Sequence, residues 1–209
     1  MRAILMAAGM GTRLRPLTEN TPKSLIEVNG MPLLERQIIN LREIGVEEII
    51  VLTGYLHEKF DDIVKKYNLI KVVNDKYDVY NNIYTMYLVR DYLKDAFVID
   101  ADNYITRNFL PKVQPKTSVY YSACKENITG EWILKYTETG RIYDVEIAPK
   151  NSKASYIMSG ASYWTEKDGK IISEKVKKAV EEDKLFDIYW DNIAVENYDN
   201  MNVYIEKIN

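Results

Sequence analysis

A doubly wound α/β fold, with a mostly parallel sheet and an embedded antiparallel lobe, is predicted by three observations on this 209-residue chain. Short apolar runs alternate with amphipathic stretches of helical period up to about residue 110. The first of these runs opens directly onto a glycine-rich bend, and the fourth ends in aspartates. Past that point the pattern changes to short stretches of strand character joined by turns.

The run Arg2 to Ala7 is short, apolar and followed by glycines, which marks a buried first strand. Residues 32–44 place Leu33, Leu34, Ile38, Leu41 and Ile44 on one helical face, with Pro32 suited to the first turn and Gly45 to the stop. Strands are expected at 48–53, 69–73 and 96–100, with a polar surface helix at 57–67 and a further helix at 82–93. Strands alternating with helices imply right-handed crossovers. In the second half, 117–124, 131–137, 141–147 and 155–164 read as strands, the middle two joined by Glu138-Thr139-Gly140; helices are expected at 170–183 and 185–196. No linker composition separates the halves. One domain is expected, with a nucleotide-binding half over about 1–110 and an acceptor half over about 111–209.

Composition narrows the function. A net charge of −3 leaves no basic field for nucleic acid or anionic lipid. One cysteine, Cys124, excludes an internal disulfide and fits a reducing compartment. No stretch approaches the roughly 18 apolar residues of a membrane span, so a cytoplasmic location without membrane insertion is expected. Of the 17 tyrosines, most read as core and strand residues and some as pocket lining. His57 reads as solvated or capping, Cys124 as a small core residue, and the Lys/Glu runs at 166–184 as a solvated helix face.

The chemistry begins at Ala8-Gly9-Met10-Gly11-Thr12-Arg13. Glycines at Gly9 and Gly11 let backbone N–H groups approach phosphate oxygens, and Thr12 adds a hydroxyl donor. Thr21-Pro22-Lys23-Ser24 returns a second cation towards the same cradle, matching the charge of a triphosphate. The dinucleotide fingerprint is excluded because Leu14 stands where its third glycine belongs, and no P-loop lysine follows. Asp100 and Asp102 follow the strand at 96–100, at the carboxyl end where ligands of parallel sheets bind. Magnesium is suited to such a place, since it takes one or two carboxylates plus phosphate oxygens and water.

Residues 7–38, AAGMGTRLRPLTENTPKSLIEVNGMPLLERQI, resemble the signature of the nucleotidyltransferases that activate sugar phosphates and related alcohols. The resemblance implies a Rossmann-like sheet and a Mg2+-dependent transfer of a nucleotidyl group with loss of pyrophosphate. It implies that the loop holds the triphosphate, that Arg13 neutralises the leaving pyrophosphate, and that Lys23 meets the acceptor phosphate or α-phosphate. It makes Asp102 a metal ligand, with Asp100 in support. A second metal aspartate is expected near the end of the catalytic region, where Asp191 is favoured; Asp187 lies four residues earlier, and spacing alone does not choose between them. The base is expected against Ala7 and Ala8, with Asn74 and either Asn81 or Asn82 reading base or ribose.

Within that family, shorter stretches such as Tyr80-Asn81-Asn82, Glu131-Trp132 and Tyr189-Trp190-Asp191-Asn192 resemble the bacterial CTP:phosphocholine cytidylyltransferases. A quaternary ammonium is held by aromatic faces, often beside a carboxylate. Trp132, Trp164 and Trp190 all fall in the second half, with Asp187 and Tyr189 near the last, and are the expected acceptor site; Tyr80 and Tyr104 are weaker candidates. The expected partners are CTP and phosphocholine. The rivals are 2-aminoethylphosphonate, phosphoethanolamine or a sugar or polyol phosphate as acceptor, and, from another class, a non-catalytic relative that senses nucleotides or assembles with partners. Oligomeric state is left open.

Overall fold

The computed structural model describes residues 1–208. Its central sheet starts with β1 (Arg2–Ala7), flanked in parallel by β4 (Glu48–Thr53) and β6 (Ala96–Asp100), with β5 (Ile70–Val73) beyond β4. Between β1 and β4 lie the small hairpin β2 (Glu27–Val28) and β3 (Met31–Pro32), which the sequence did not announce, and helix α1 (Leu33–Glu43). Side chains on β1 alternate strictly. Ala3, Leu5 and Ala7 pack on Leu34, Ile38 and Leu41 of α1, whereas Ile4 faces the opposite core. Period-2 burial on both faces is what a sheet covered by helices on two sides requires. α1 stops at a left-handed Gly45, where the N–H groups of Gly45 and Val46 return to Arg42 and Leu41.

Helix α2 (Asp61–Tyr67) covers the α1 face, and α3 (Asn82–Val89) the other. The second half extends the same sheet instead of forming a separate lobe. β7 (Ser118–Lys125) lies next but one to β6, separated from it by the antiparallel β11 (Ala161–Trp164). Only β8 (Trp132–Tyr136) and β9 (Ile142–Ile147) stand apart as a hairpin, closed over Ile128, Ala148 and Ile157.

Three expectations need correction. The strand expected over 155–164 is two strands, β10 (Ser155–Tyr156) and β11, because residues 158–160 leave the ladder and Gly160 turns left-handed at φ 68°. The helix at 170–183 starts earlier: α4 spans Glu166–Glu181, with the hydroxyl of Thr165 accepting from the N–H of Asp168. The helix at 185–196 is shorter, since α5 covers only Trp190–Val195. Residues 186–189 are drawn away from helical pairing: the N–H of Asn81 donates to Phe186 O, and Asn82 Oδ1 accepts from the N–H of Trp190. The terminal strand β12 (Val203–Ile208), parallel to β7, was also not foreseen. Among the described residues no helix is long and apolar enough to cross a membrane.

Candidate active site

The carboxyl ends of β1 and β6 open into a cleft of about 410 Å³. Ala7, Ala8, Gly9, Gly11, Thr12, Arg13 and Lys23 line it from the glycine loop, Asp100 and Asp102 from the turn after β6, and Asn81, Asn82, Tyr77 and Tyr80 from the far wall. Residues up to 95 positions apart in sequence thus share one hollow, as ligands at the ends of parallel strands require.

The loop owes its shape to one glycine. Gly11 has φ 62°, and a Cβ there would meet Thr18 Cγ2 at 3.0 Å and Lys23 Cβ at 3.2 Å. Thr18, fully buried, donates its hydroxyl to Gly11 O at 2.8 Å and so pins the bend; the sequence reading missed it. Leu14 N–H returns to Gly11 O, and Arg15 N–H to Thr12 O. Among the described residues the backbone N–H groups of residues 9–13 donate no hydrogen bond within the protein. A row of such donors beside two cations is an anion cradle. Gly9 has open space around its missing Cβ, so its steric need is weaker than expected.

Lys23 is ion-paired and hydrogen-bonded to Asp102 across the cleft floor. Asp100 lies deeper. Burial, then the charges of Asp191 and Asp102, push its carboxyl up to about 8, with Lys23 acting against them. Asp191, on the first turn of α5, is pushed by burial to about 6 and accepts from the Tyr120 hydroxyl at 3.1 Å, which opposes the shift. Asp191 stands within electrostatic reach of Asp100. Asp187 is exposed, precedes α5, and engages Asn81 only through its backbone carbonyl. Geometry therefore separates two aspartates that spacing left equivalent.

The donor set suits a hard divalent cation. Asp102 pairs with Lys23, and the charges of Asp191 and Asp102 both bear on the buried Asp100, which does not stay ionised at low cost. Among the described residues no group of three or more His, Cys, Asp or Glu side chains could by itself hold a metal ion. Magnesium held by one or two carboxylates completes its shell with substrate phosphates and water.

Several expected contacts are not found. Asn74 is fully buried; its amide donates to Thr85 Oγ1 at 3.0 Å and accepts from the N–H of Lys76 at 2.8 Å, so both ends are committed to structure. Trp164 is wholly buried, its indole N–H donating to Ser162 Oγ at 2.9 Å. Trp190, 4% exposed, packs against it at 6.0 Å. Neither tryptophan offers a face to a ligand, because β11 and α5 are inner elements of the α3–α5 core. Trp132 does: it is half-buried and meets Tyr189, 51% exposed, edge-on at 6.2 Å. Tyr80 stacks on Phe186 at 4.1 Å in the cleft wall, and Tyr104 lies elsewhere, under Arg36. His57 opens the first turn before α2, and Cys124 is exposed near the end of β7 rather than in the core.

With this geometry in view, comparison with known proteins is decisive. The family profile described as Nucleotidyl transferase matches residues 2–204. The chain belongs to that family. It is 43% identical over its full length to the choline-phosphate cytidylyltransferase of Streptococcus pneumoniae, covering 89% of that protein. A solved structure of the same pneumococcal enzyme superposes on this nucleotidyltransferase with a TM-score of 0.94, covering 100% of this chain and 90% of the other. The Haemophilus influenzae choline-phosphate cytidylyltransferase is 37% identical over 100% of the chain and 89% of the relative. A 2-aminoethylphosphonate cytidylyltransferase of Lancefieldella rimae is 33% identical over 99% and 84%.

Proposed function

We propose that this nucleotidyltransferase transfers CMP from CTP to phosphocholine, releasing pyrophosphate. One observation carries the reading: the anion cradle, Arg13, Lys23 and the acidic turn share one cleft in a chain that matches phosphocholine cytidylyltransferases from end to end. The triphosphate lies along the N–H groups of residues 9–13, with the base against Ala7 and Ala8 and the ribose side towards Asn81 and Asn82. A phosphate oxygen of the acceptor attacks the α-phosphorus in line; that P–O bond forms as the bond to the bridging oxygen of pyrophosphate breaks. Arg13 neutralises the leaving pyrophosphate, and Lys23 holds the attacking and α-phosphate oxygens together. A Mg2+ ion held by Asp102, with Asp191, would supply charge neutralisation and alignment at the α-phosphate. Catalysis of this kind is positioning and electrostatics, with no covalent enzyme intermediate.

The acceptor's trimethylammonium group is assigned to the faces of Trp132 and Tyr189, with Asp187 supplying negative charge nearby. A second reading, 2-aminoethylphosphonate as acceptor, is favoured by one observation: with Trp164 and Trp190 buried, Trp132 beside Tyr189 is what the three tryptophans leave for a ligand, and Asp187 stands two residues before Tyr189. A primary ammonium prefers such oxygen acceptors.

Pyrophosphate release, measured for the four common triphosphates against phosphocholine, phosphoethanolamine and 2-aminoethylphosphonate, tests this. The expected maximum is CTP with phosphocholine. A higher kcat/KM with either primary amine overturns the acceptor assignment, and no release with any pair overturns the activity.

A further inference from the structure

A buried amide behind the acidic turn has no role in the reaction described above. Gln37 sits in α1 among Leu34, Ile38 and Leu41 and is fully buried. Its Nε2 donates to Asp100 O at 2.9 Å and to Asn103 O at 3.0 Å, the two ends of the turn that carries Asp102. Its Oε1 has no partner among the described residues. A buried acceptor left unsatisfied costs free energy, and an apolar side chain of equal size would avoid that cost. The position is therefore explained by what its two donors hold.

Those donors close a brace. The N–H of Asn103 returns to Asp100 O at 3.1 Å, and Asn103 Nδ2 donates to Ser159 O at 2.7 Å. Asp100 N–H donates to Gly160 O at 2.7 Å. On the other side, the N–H of Leu33 at the start of α1 donates to Ile26 O, and the N–H of Ile26 to Lys23 O, both at 3.2 Å. One short rigid path thus runs from Lys23 through α1 and the Gln37 amide to the turn bearing Asp102. The two ends of that path meet again as the ion pair in the cleft.

We infer that Gln37 is a positioning residue: by gripping both ends of the 100–103 turn it sets Asp102 relative to Lys23 and to the cation shared with the nucleotide. This rests on the function proposed above. Loss of both donors lets the turn relax away from α1, and displacements near 1 Å at a reacting centre cost on the order of 100-fold in rate.

The test uses Gln37→Met, similar in size without donors, and Gln37→Glu, similar in shape and, kept protonated by burial, able to donate to one carbonyl at most. Binding of Mn2+·CTP is followed by water-proton relaxation enhancement without acceptor, next to kcat, KM for CTP and thermal melting. Both variants are expected to bind Mn2+·CTP roughly 10- to 100-fold more weakly, the range typical of residues that orient metal ligands. kcat should fall in step. A purely structural role would lower the melting temperature and leave cation binding by the folded protein unchanged, and that result overturns the inference. Should Gln37→Met fail to fold, Gln37→Glu decides alone. Wild-type protein that shows no enhancement with Mn2+·CTP overturns the metal reading itself and this inference with it; wild-type binding matched by the variants overturns only the role of Gln37.

Discussion

The two sides of the cleft are built differently. On the nucleotide side a contiguous segment does most of the work: Ala7 to Arg13, with Lys23 close behind, all reach the same hollow. On the acceptor side proposed above, Trp132 comes from the β8–β9 hairpin, Tyr189 caps α5, and Asp191 sits on the first turn of that helix within electrostatic reach of Asp100. Long-range hydrogen bonds join these pieces, from Asn82 to Trp190 and from Met158 N–H to Trp132 O at 2.9 Å. A site made from one bend depends on backbone shape; a site made from three elements depends on packing between them.

The sharpest break of that comparison is at the acidic turn, which both sides share. Asp102→Ala should lower kcat about 1,000-fold or more, the scale of removing a principal electrostatic contact from a phosphoryl-transfer site. Its melting temperature should stay close to wild type, because the carboxylate is partly exposed and, among the described residues, paired only with Lys23. Near wild-type turnover would remove Asp102 from the chemistry.

Next in size is a substitution that acts on the fold. Trp164→Ala empties a fully buried site in the core beneath the acceptor elements and should cost about 3–5 kcal/mol by urea unfolding. Acceptor KM in the remaining folded protein should be little changed. A selective rise in that KM without loss of stability would show that Trp164 reaches the ligand after all.

Gly160 connects the two regions. A Cβ there would lie 2.1 Å from Asp100 Oδ2, at a positive φ that disfavours side chains. Gly160→Ala is expected to cost about 1–3 kcal/mol in stability and to lower activity with it, since Asp100 must move. Stability equal to wild type would mean that the turn after β6 is softer than its hydrogen bonds indicate.

The mirror image of Trp164→Ala is Trp132→Ala. It should raise KM for phosphocholine roughly 10-fold by removing a cation–π face, and shift stability little, because this ring is only half-buried. An unchanged KM would remove the hairpin from the acceptor site. The smallest effect is expected at Thr18→Val, where loss of the bond to Gly11 O should cost about 1 kcal/mol and mainly raise KM for CTP.

The same contrast explains what the sequence disclosed. The strands at 48–53 and 96–100 were legible to the residue, because parallel strands buried on both faces leave unbroken apolar runs. The loop residues were legible because they are neighbours in the chain and their chemistry needs no partner far away. Trp164 and Trp190 were misassigned because an aromatic on an inner strand and one on a ligand face look alike until the sheet order is known. Asn74 was misassigned for the same reason: whether its amide is spent on Thr85 is a question of packing. Thr18, Gln37 and Tyr120 gave no signal, since the groups that explain Gln37 and Tyr120 lie 63 and 71 positions away. The shortness of α5 was hidden likewise, because Asn81 and Asn82 capture the segment before it.

In the mechanism proposed above, the cation and the nucleotide meet where the two constructions join. A crystal structure with a non-hydrolysable CTP analogue and Mn2+ locates both through the anomalous signal of the metal. The account predicts a manganese peak bound by Asp102 and facing Asp191, with the triphosphate on the amides of residues 9–13. A peak bound by neither aspartate, or a triphosphate seated away from that bend, would contradict it.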